Sequence, residues 1–386
     1  MARLLRIGVN ALYLIPGGVG GTEIYLRNLL AALAQIDRRN RYFVFVNAET
    51  ARAEPPLVPA AGNFETVPGS VRAANRPARL AWEQLVLPAQ AARRDLDVLF
   101  SPGFTSPLWT RARKVTVIHD LQHKRHAENF GWLELAAWRA LVWVSARFSQ
   151  QVVTVSETSR RDILEIYALA PEWVTVVPHG VEPAFFRLRE DSAVDRRRLA
   201  AGVGDHPYLL SVSTVHPHKN WGRWLEAYRR LAAEGWPHHL VIAGLAGKYS
   251  PELRRTLESL DLRERVHVTG WLGRPELLAL YKFAEALVFP SGFEGFGMPV
   301  LEAMAAGIPV ACSAIAPLEE TTGEAALLFD PDSVDSMAGA VRKLLSDAEL
   351  RHRLVEQGRQ RAAGFTWTRA AEQTLAVIER AASGPH

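Results

Sequence analysis

The chain has 386 residues, 48% hydrophobic, 22% charged and 9% aromatic, which excludes a disordered chain and leaves room for two domains of ordinary size. Its 45 basic against 41 acidic side chains, a net charge of +4, lack the excess that nucleic acid demands of a partner. The single cysteine, Cys312, excludes an internal disulfide framework and a cysteine-based zinc cluster, and fits a cytoplasmic chain.

The N-terminus has a basic start and an apolar stretch, the outline of a signal peptide. It contains Asn10 and lacks a small-x-small cleavage site, so residues 6–13 read instead as a first buried strand. The glycine cluster Pro16-Gly-Gly-Val-Gly-Gly-Thr-Glu23 then opens a helix over 22–35. Glycines let a backbone approach a ligand closely, and free N–H groups at a helix start favour an anion. Gly18, Gly20 and Gly21 are therefore candidates for a phosphate or acceptor-sugar loop, with a tight turn that holds no ligand as the structural alternative. The dinucleotide fingerprint G-x-G-x-x-G fails, because Glu23 stands where its third glycine belongs.

Apolar, β-branched runs follow at 42–46, 98–100, 115–118, 152–155 and 174–177, and His119-Asp120 closes the run at 115–118. His119, His123 and His126 could meet at a metal only on one continuous helix, and no metal site is assigned. Residues 131–150 carry Trp132, Trp138 and Trp143 with Arg139 and Arg147. They read as a buried helix, with peripheral contact to a lipid interface as the alternative. No run of 18 apolar residues exists, so no membrane-spanning helix is predicted.

Residues 182–205 are charge-rich, lack a strand pattern and form the natural linker, ending in a short helix. Beyond it lie runs at 208–212, 239–243, 266–269, 286–289, 309–311 and 325–329. Six runs on each side of the linker, alternating with helices, predict an α/β chain of two doubly wound parallel-sheet domains facing an interdomain cleft. In such sheets ligands bind beyond the carboxyl ends of the strands. Lys219 sits there, in Pro217-His-Lys-Asn220, one of only six lysines among the 45 cations. An ammonium beside a helix N-terminus gains nothing from the dipole unless an anion lies between them, and a diphosphate fits both.

The densest motif is Ser291-Gly-Phe-Glu294-Gly-Phe-Gly-Met-Pro299-Val-Leu-Glu302, with Gly307 beyond. Pro299 suits a first helical turn and Gly307 a helix stop. Glu294 then lies in the loop with the amides of Gly295, Phe296 and Gly297, donors and an acceptor for a polyhydroxylated ligand, and Glu302 lies in the helix. A general acid and base of a glycoside hydrolase is the rival chemical reading. A last helix spans 367–382 with no strand after it.

Glu294-Gly-Phe-Gly-x-Pro-x-x-Glu302-Ala resembles the E-x7-E signature of glycosyltransferase family 4, retaining enzymes of the GT-B fold. The glycine loop, Ile118-His-Asp120, Thr154-Val-Ser-Glu-Thr-Ser159, Val177-Pro-His-Gly-Val181, the Lys219 loop and Leu327-Leu-Phe-Asp330 follow in the same order over nearly the whole chain. The resemblance implies an acceptor-binding Rossmann-like domain over 1–182, a nucleotide-sugar-binding one over 183–366, and a helix over 367–386 that can return to the first. It implies that Glu302 binds the ribose hydroxyls and that Glu294 with Gly295–Gly297 binds the donor hexose. Lys219 with His218 would hold the diphosphate, and His119 would bond the transferring sugar. His119, Glu294 and Lys219 form the candidate catalytic set, with no nucleophile, metal or cofactor beyond the nucleotide-sugar substrate.

Two positions depart from the family pattern. Where an arginine is common near the phosphate lysine, this chain has Thr214 and His218, and the loop that usually reads Pro-Asn-Gly-Val has His179. If His218 takes the arginine's part, donor binding weakens as pH rises through its titration. Pro-x-Lys-Asn and Trp82-Glu-Gln-Leu-Val-Leu-Pro88 are similar to the bacterial mannosyltransferase subset of polysaccharide assembly. They point to mannose and to a GDP-sugar before a UDP-sugar, with a glycan, lipid-linked or small-molecule acceptor. The alternatives are a phosphorylase or hydrolase on the same fold, or a sugar-nucleotide-binding protein without turnover. The expected setting is the cytoplasm, with attachment to the inner face of the plasma membrane as an option, no nucleic-acid partner, and the oligomeric state left open.

Overall fold

The computed structural model describes residues 3–18, 20–125, 131–191, 194, 202–247 and 249–384. His126 and the short helix expected at the end of the linker lie outside them. The chain divides into one unit made of Met1–Gly180 with Thr366–His386 and another made of Val181–Phe365.

The first unit is built on seven strands: β1 (Arg6–Ala11), β2 (Arg41–Val46), β3 (Phe64–Pro68), β4 (Val98–Ser101), β5 (Arg113–Val117), β6 (Gln151–Thr154) and β7 (Val174–Val176). They pair in parallel in the order β3-β2-β1-β4-β5-β6-β7. Helices α1 (Gly21–Ile36), α2 (Arg76–Arg93), α3 (Gln122–Arg125), α4 (Trp132–Arg147) and α5 (Glu157–Tyr167) connect them. Successive side chains of a strand point to opposite faces, and here both faces are covered. Val44, Val98 and Phe100 join the core under α1, whereas Phe43, Phe45 and Leu99 join Leu87 and Ala91 of α2. Continuous apolar runs are the mark of such doubly covered parallel strands.

The sequence reading missed β3. It is an edge strand in which only Val67 is buried, and it ends on Pro68, so it presents neither a continuous apolar run nor a clean alternation. A second correction concerns 131–150. The helix is α4, yet only Val142, Ser145 and Ala146 of its described side chains are buried, and Trp132 and Trp143 are exposed.

The second unit carries β8 (Tyr208–Val212), β9 (His239–Ala243), β10 (Val266–Gly270), β11 (Ala286–Phe289), β12 (Val310–Ser313) and β13 (Leu327–Phe329), in the parallel order β10-β9-β8-β11-β12-β13. Its helices are α6 (Pro183–Phe186), α7 (Trp221–Ala233), α8 (Ser250–Ser259), α9 (Arg274–Phe283), α10 (Met298–Ala305), α11 (Ala316–Thr322), α12 (Val334–Ser346) and α13 (Ala348–Ala362). Trp224 and Tyr228 of α7 pack with Leu240, Ile242 and Val288 in its core.

The last helix, α14 (Trp367–Ser383), belongs to the first unit. Its stripe of Trp367, Ala371, Val377 and Ile378 shares one core with Leu26, Leu29 and Leu33 of α1. The chain passes so close at Gly180 that a Cβ there would collide with the backbone of Trp367.

Each sheet has one place where the strand order reverses, between β1 and β4 and between β8 and β11. Loops leave such a switch point in opposite directions and open a crevice at the carboxyl ends.

Candidate functional site

In the second unit both loops at the switch point carry candidate residues. The loop after β8 turns through a short helical segment, Pro217–Lys219, and Asn220 adopts the left-handed conformation (φ 59°) that starts α7. The loop after β11 is fastened to it, since the Gly292 N–H donates to the His218 carbonyl at 2.8 Å. This brings Lys219 Nζ to 2.6 Å from Glu294 Oε1, with each side chain 13% exposed. The sequence assigned both residues to a donor, and the structure pairs them with each other. The His218 ring stacks on His216 and meets Phe293 edge-on.

Gly297 caps α10 at φ 96°, and a Cβ there would run into Leu318. Glycine is thus required twice over, by conformation and by space. The Phe296 side chain is buried against Phe365, and its carbonyl accepts from Thr321 Oγ1 at 2.7 Å.

Glu302, on α10, has a separate set of partners. It is buried, accepts a 2.8 Å hydrogen bond from the Tyr281 hydroxyl of α9, and feels the Arg274 guanidinium. Burial raises its carboxyl from the usual 4.5 to about 7, and Arg274 and Tyr281 only partly offset that. Arg274 is held in turn by Glu182 at 2.7 Å and lies over the Phe185 ring. Sequence reasoning missed Tyr281. It is 21 positions from Glu302 on another helix, and no local signal links them. Each glutamate of the E-x7-E motif therefore has its own partner, Lys219 for one and Tyr281 for the other.

In the first unit, His119 follows β5 and is buried. Its Nε2 lies 3.0 Å from the Pro102 carbonyl. A carbonyl only accepts, so Nε2 carries the proton and Nδ1 is left as the acceptor. Nδ1 is buried with no hydrogen-bond partner among the described residues. Burial also lowers the pKa of this imidazole from 6.5 to about 4, which keeps it neutral. Tyr25 and Phe104 hold its ring edge-on, and the Ser159 hydroxyl of the Thr154–Ser159 motif ties down its backbone carbonyl. His179 lies beside it, 5.6 Å between ring centroids, stacked on Trp367 of α14. The His123 ring bonds the Tyr167 hydroxyl, and among the described residues no group of three His, Cys, Asp or Glu could hold a metal ion.

The glycine loop runs into α1. Gly20 caps α1 at φ 60°, the Gly17 N–H donates to Glu23 Oε2 at 2.7 Å, and Glu23 is paired with Arg27 at 2.8 Å. The Glu23 carboxylate thus meets the loop at the Gly17 amide, one residue before Gly18. Gly18 turns back on Ile15, its N–H donating to that carbonyl at 2.8 Å, and Gly21 is the first residue of α1.

Residues 19–185 match the glycosyltransferase family 4 profile, and residues 196–361 match that of glycosyl transferases group 1. The chain belongs to glycosyltransferase family 4. Over 253 residues it is 35% identical to the MMP α-(1→4)-mannosyltransferase of Mycolicibacterium hassiacum, a match covering 63% of this chain and 58% of that protein. It is 27% identical to the O-antigen chain mannosyltransferase B of Escherichia coli over 303 residues, 78% of this chain and 76% of the relative. The crystal structure of Anabaena HepE in complex with UDP-glucose superposes with a TM-score of 0.77 at 18% identity, covering 97% of this chain and all of that one. The fold of this family 4 chain is the two-sheet GT-B architecture.

Proposed function

We propose that this glycosyltransferase is a metal-independent, retaining hexosyltransferase that moves mannose from a GDP-linked donor to a glycan or lipid-linked acceptor. The observation that carries the reading is the Lys219–Glu294 pair at the β8/β11 switch point. A donor diphosphate competes with Glu294 for Lys219. Once displaced, Glu294 is free to accept from the hexose hydroxyls beside the Gly295–Gly297 backbone. Before binding, the pair keeps each charge compensated at a half-dry site, where an unpaired charge is costly. During transfer, Lys219 and the amides opening α7 stabilise the departing diphosphate as charge develops on it. Glu302 takes the ribose hydroxyls.

The first unit takes the acceptor. The His119 Nδ1 lone pair accepts from a sugar hydroxyl. Gly18, Gly20 and Gly21, at the start of α1, form the loop that takes a phosphate or a sugar hydroxyl of the acceptor. No side chain is assigned as a nucleophile. Similarity to the two bacterial mannosyltransferases favours mannose, and the UDP-glucose complex of HepE makes uridine donors the alternative.

Thermal-shift measurements with GDP-mannose, UDP-glucose and ADP-glucose test the reading, because a ligand that binds only the folded state raises its stability by about 2.7 kcal/mol at a hundredfold excess over Kd. GDP-mannose is expected to give the largest shift. GDP release should then persist in EDTA, and the product should keep the donor's anomeric configuration by NMR. No shift with any donor, or sugar release from a glycan without a nucleotide, overturns the proposal.

A further inference from the structure

We infer that the outer face of the first unit is a docking surface for an anionic lipid bilayer. Large apolar side chains on protein surfaces are ordinarily scattered singly. Here they are gathered: Leu85 and Val86 on α2, Leu108 and Trp109 on the loop between β4 and β5, and Trp132 and Trp143 on α4. Trp109 is 79% exposed and Trp132 77%.

The fold puts these three segments side by side. Leu87 of α2 packs with Leu99 of β4, and Val142 of α4 packs with Val152 of β6, on the sheet face opposite α1 and α14. Arg76 of α2 pairs with Glu134 of α4 at 2.6 Å. Between the helices, the Gln84 side chain accepts from the Leu108 N–H at 2.9 Å, and the Ser106 N–H donates to Ser145 Oγ of α4 at 2.9 Å. The loop that presents Trp109 is thus bonded to both helices.

Both helices turn an uncharged stripe outward. On α4, Trp132, Ala136, Ala140 and Trp143 recur every three or four positions and are exposed; on α2, Ala78, Ala81, Leu85 and Ala89 do the same. That spacing is one helix face. Unlike the inward faces, these stripes have no protein to cover them among the described residues.

Charge selects the occupant. Arg93 at the end of α2, Arg111 two residues past Trp109, and Arg147 in the last turn of α4 are exposed, and no carboxylate pairs with them among the described residues. The carboxylate on the outward part of α4, Glu134, is already neutralised by Arg76. Arg147 also donates to the Ala168 carbonyl at 3.0 Å, which leaves its charge uncompensated. An apolar face studded with tryptophan and bordered by arginine that no carboxylate neutralises complements acyl chains beneath anionic headgroups, with indole N–H groups and guanidinium groups at headgroup level. Anionic surface potential attracts such cations within a Debye length, so the attraction must fade with salt.

Vesicle flotation of the full chain tests this. The protein is expected to float with phosphatidylglycerol–phosphatidylcholine vesicles at low salt, and several-fold less with phosphatidylcholine alone or at high salt. Trp109→Ser, Trp132→Ser and Trp143→Ser combined should lower the floated fraction about tenfold or more, by removal of the inserted aromatic area. Arg93→Gln, Arg111→Gln and Arg147→Gln combined should abolish the preference for phosphatidylglycerol. Both variants alter exposed residues, and unchanged melting temperature and donor-induced shift show that the fold and the donor site survive. The inference falls if the wild type fails to float with anionic vesicles at low salt, or if the tryptophan variant floats equally well. It also falls if the wild type is a dimer that the tryptophan variant dissolves without any vesicle binding, which assigns the face to a second copy of the chain.

Discussion

Replacing Glu302 by glutamine is expected to stabilise the protein at pH 8 while weakening its hold on nucleotide. Burial raises the folded-state pKa of Glu302 from 4.5 to about 7. The native state therefore keeps the proton up to about pH 7, whereas the unfolded chain releases it near 4.5. Between those values the folded state binds more protons, so stability is lost as pH rises through the window, and the penalty is complete above it. At about 1.4 kcal/mol per tenfold change in proton affinity, the span amounts to about 3 kcal/mol. Glu302→Gln removes the charge and keeps an oxygen to accept from the Tyr281 hydroxyl. Its melting temperature should exceed wild type by up to roughly 6–12 °C at pH 8 for a unit of this size, and by nothing near pH 4.5. Function runs the other way. If the ionised carboxylate receives the ribose hydroxyls, wild-type nucleotide affinity drops about tenfold from pH 8 to pH 6, because only the ionised fraction is competent; in the variant this dependence vanishes and binding is weak throughout. Melting scans and titration calorimetry at both pH values decide the matter. A stability difference that does not change with pH refutes the raised pKa, and an unchanged pH profile of binding refutes the carboxylate's role toward the donor.

Lys219→Met and Glu294→Gln each leave a half-buried partner uncompensated, so each single variant should lose about 1–3 kcal/mol, and the double variant less than their sum, in a double-mutant cycle read by chemical denaturation. Donor binding should fall in all three, and a normal donor affinity in Lys219→Met removes the diphosphate assignment. His119→Ala should reduce kcat/KM about tenfold by loss of one hydrogen-bond acceptor, and the wild-type profile should show no titration of His119 between pH 6 and 8, since its pKa is lowered to about 4. Stability from this neutral histidine is complete above its unfolded value of 6.5 and is lost as pH falls toward 4. A limb in kcat/KM near neutrality that disappears in His119→Ala contradicts this. Gly297→Ala should cost about 1–3 kcal/mol, from left-handed strain and the collision with Leu318, and an unchanged melting temperature would show that the loop relaxes freely.

Much of the architecture was readable from local patterns. Parallel strands buried on both faces leave runs such as Val115–Ile118 that need no knowledge of their neighbours, and Pro299 with Gly307 marks the ends of α10, where Gly307 has φ 70°. The edge strand β3 escaped because it is half-exposed and its residues answer to no single periodicity. The apolar stripe of α14 showed that a partner exists, without showing that α1 is that partner. At the site, Lys219, Glu294, Glu302 and His119 stood out because chemistry-bearing residues after strands are conspicuous. Their partners were silent.

Periodicity and turn chemistry are properties of a few consecutive residues, so the sequence alone determined the strand–helix alternation, the two parallel sheets and the positions of the post-strand loops. Which loops meet depends on strand order, and strand order depends on burying both faces of each sheet at once. Only the tertiary structure could place Lys219 against Glu294 across 75 positions, set Tyr281 on Glu302, and decide through the Pro102 carbonyl which nitrogen of His119 is left to accept. Each of these depends on a distance between residues remote in the chain, and that distance exists only once the strands are ordered.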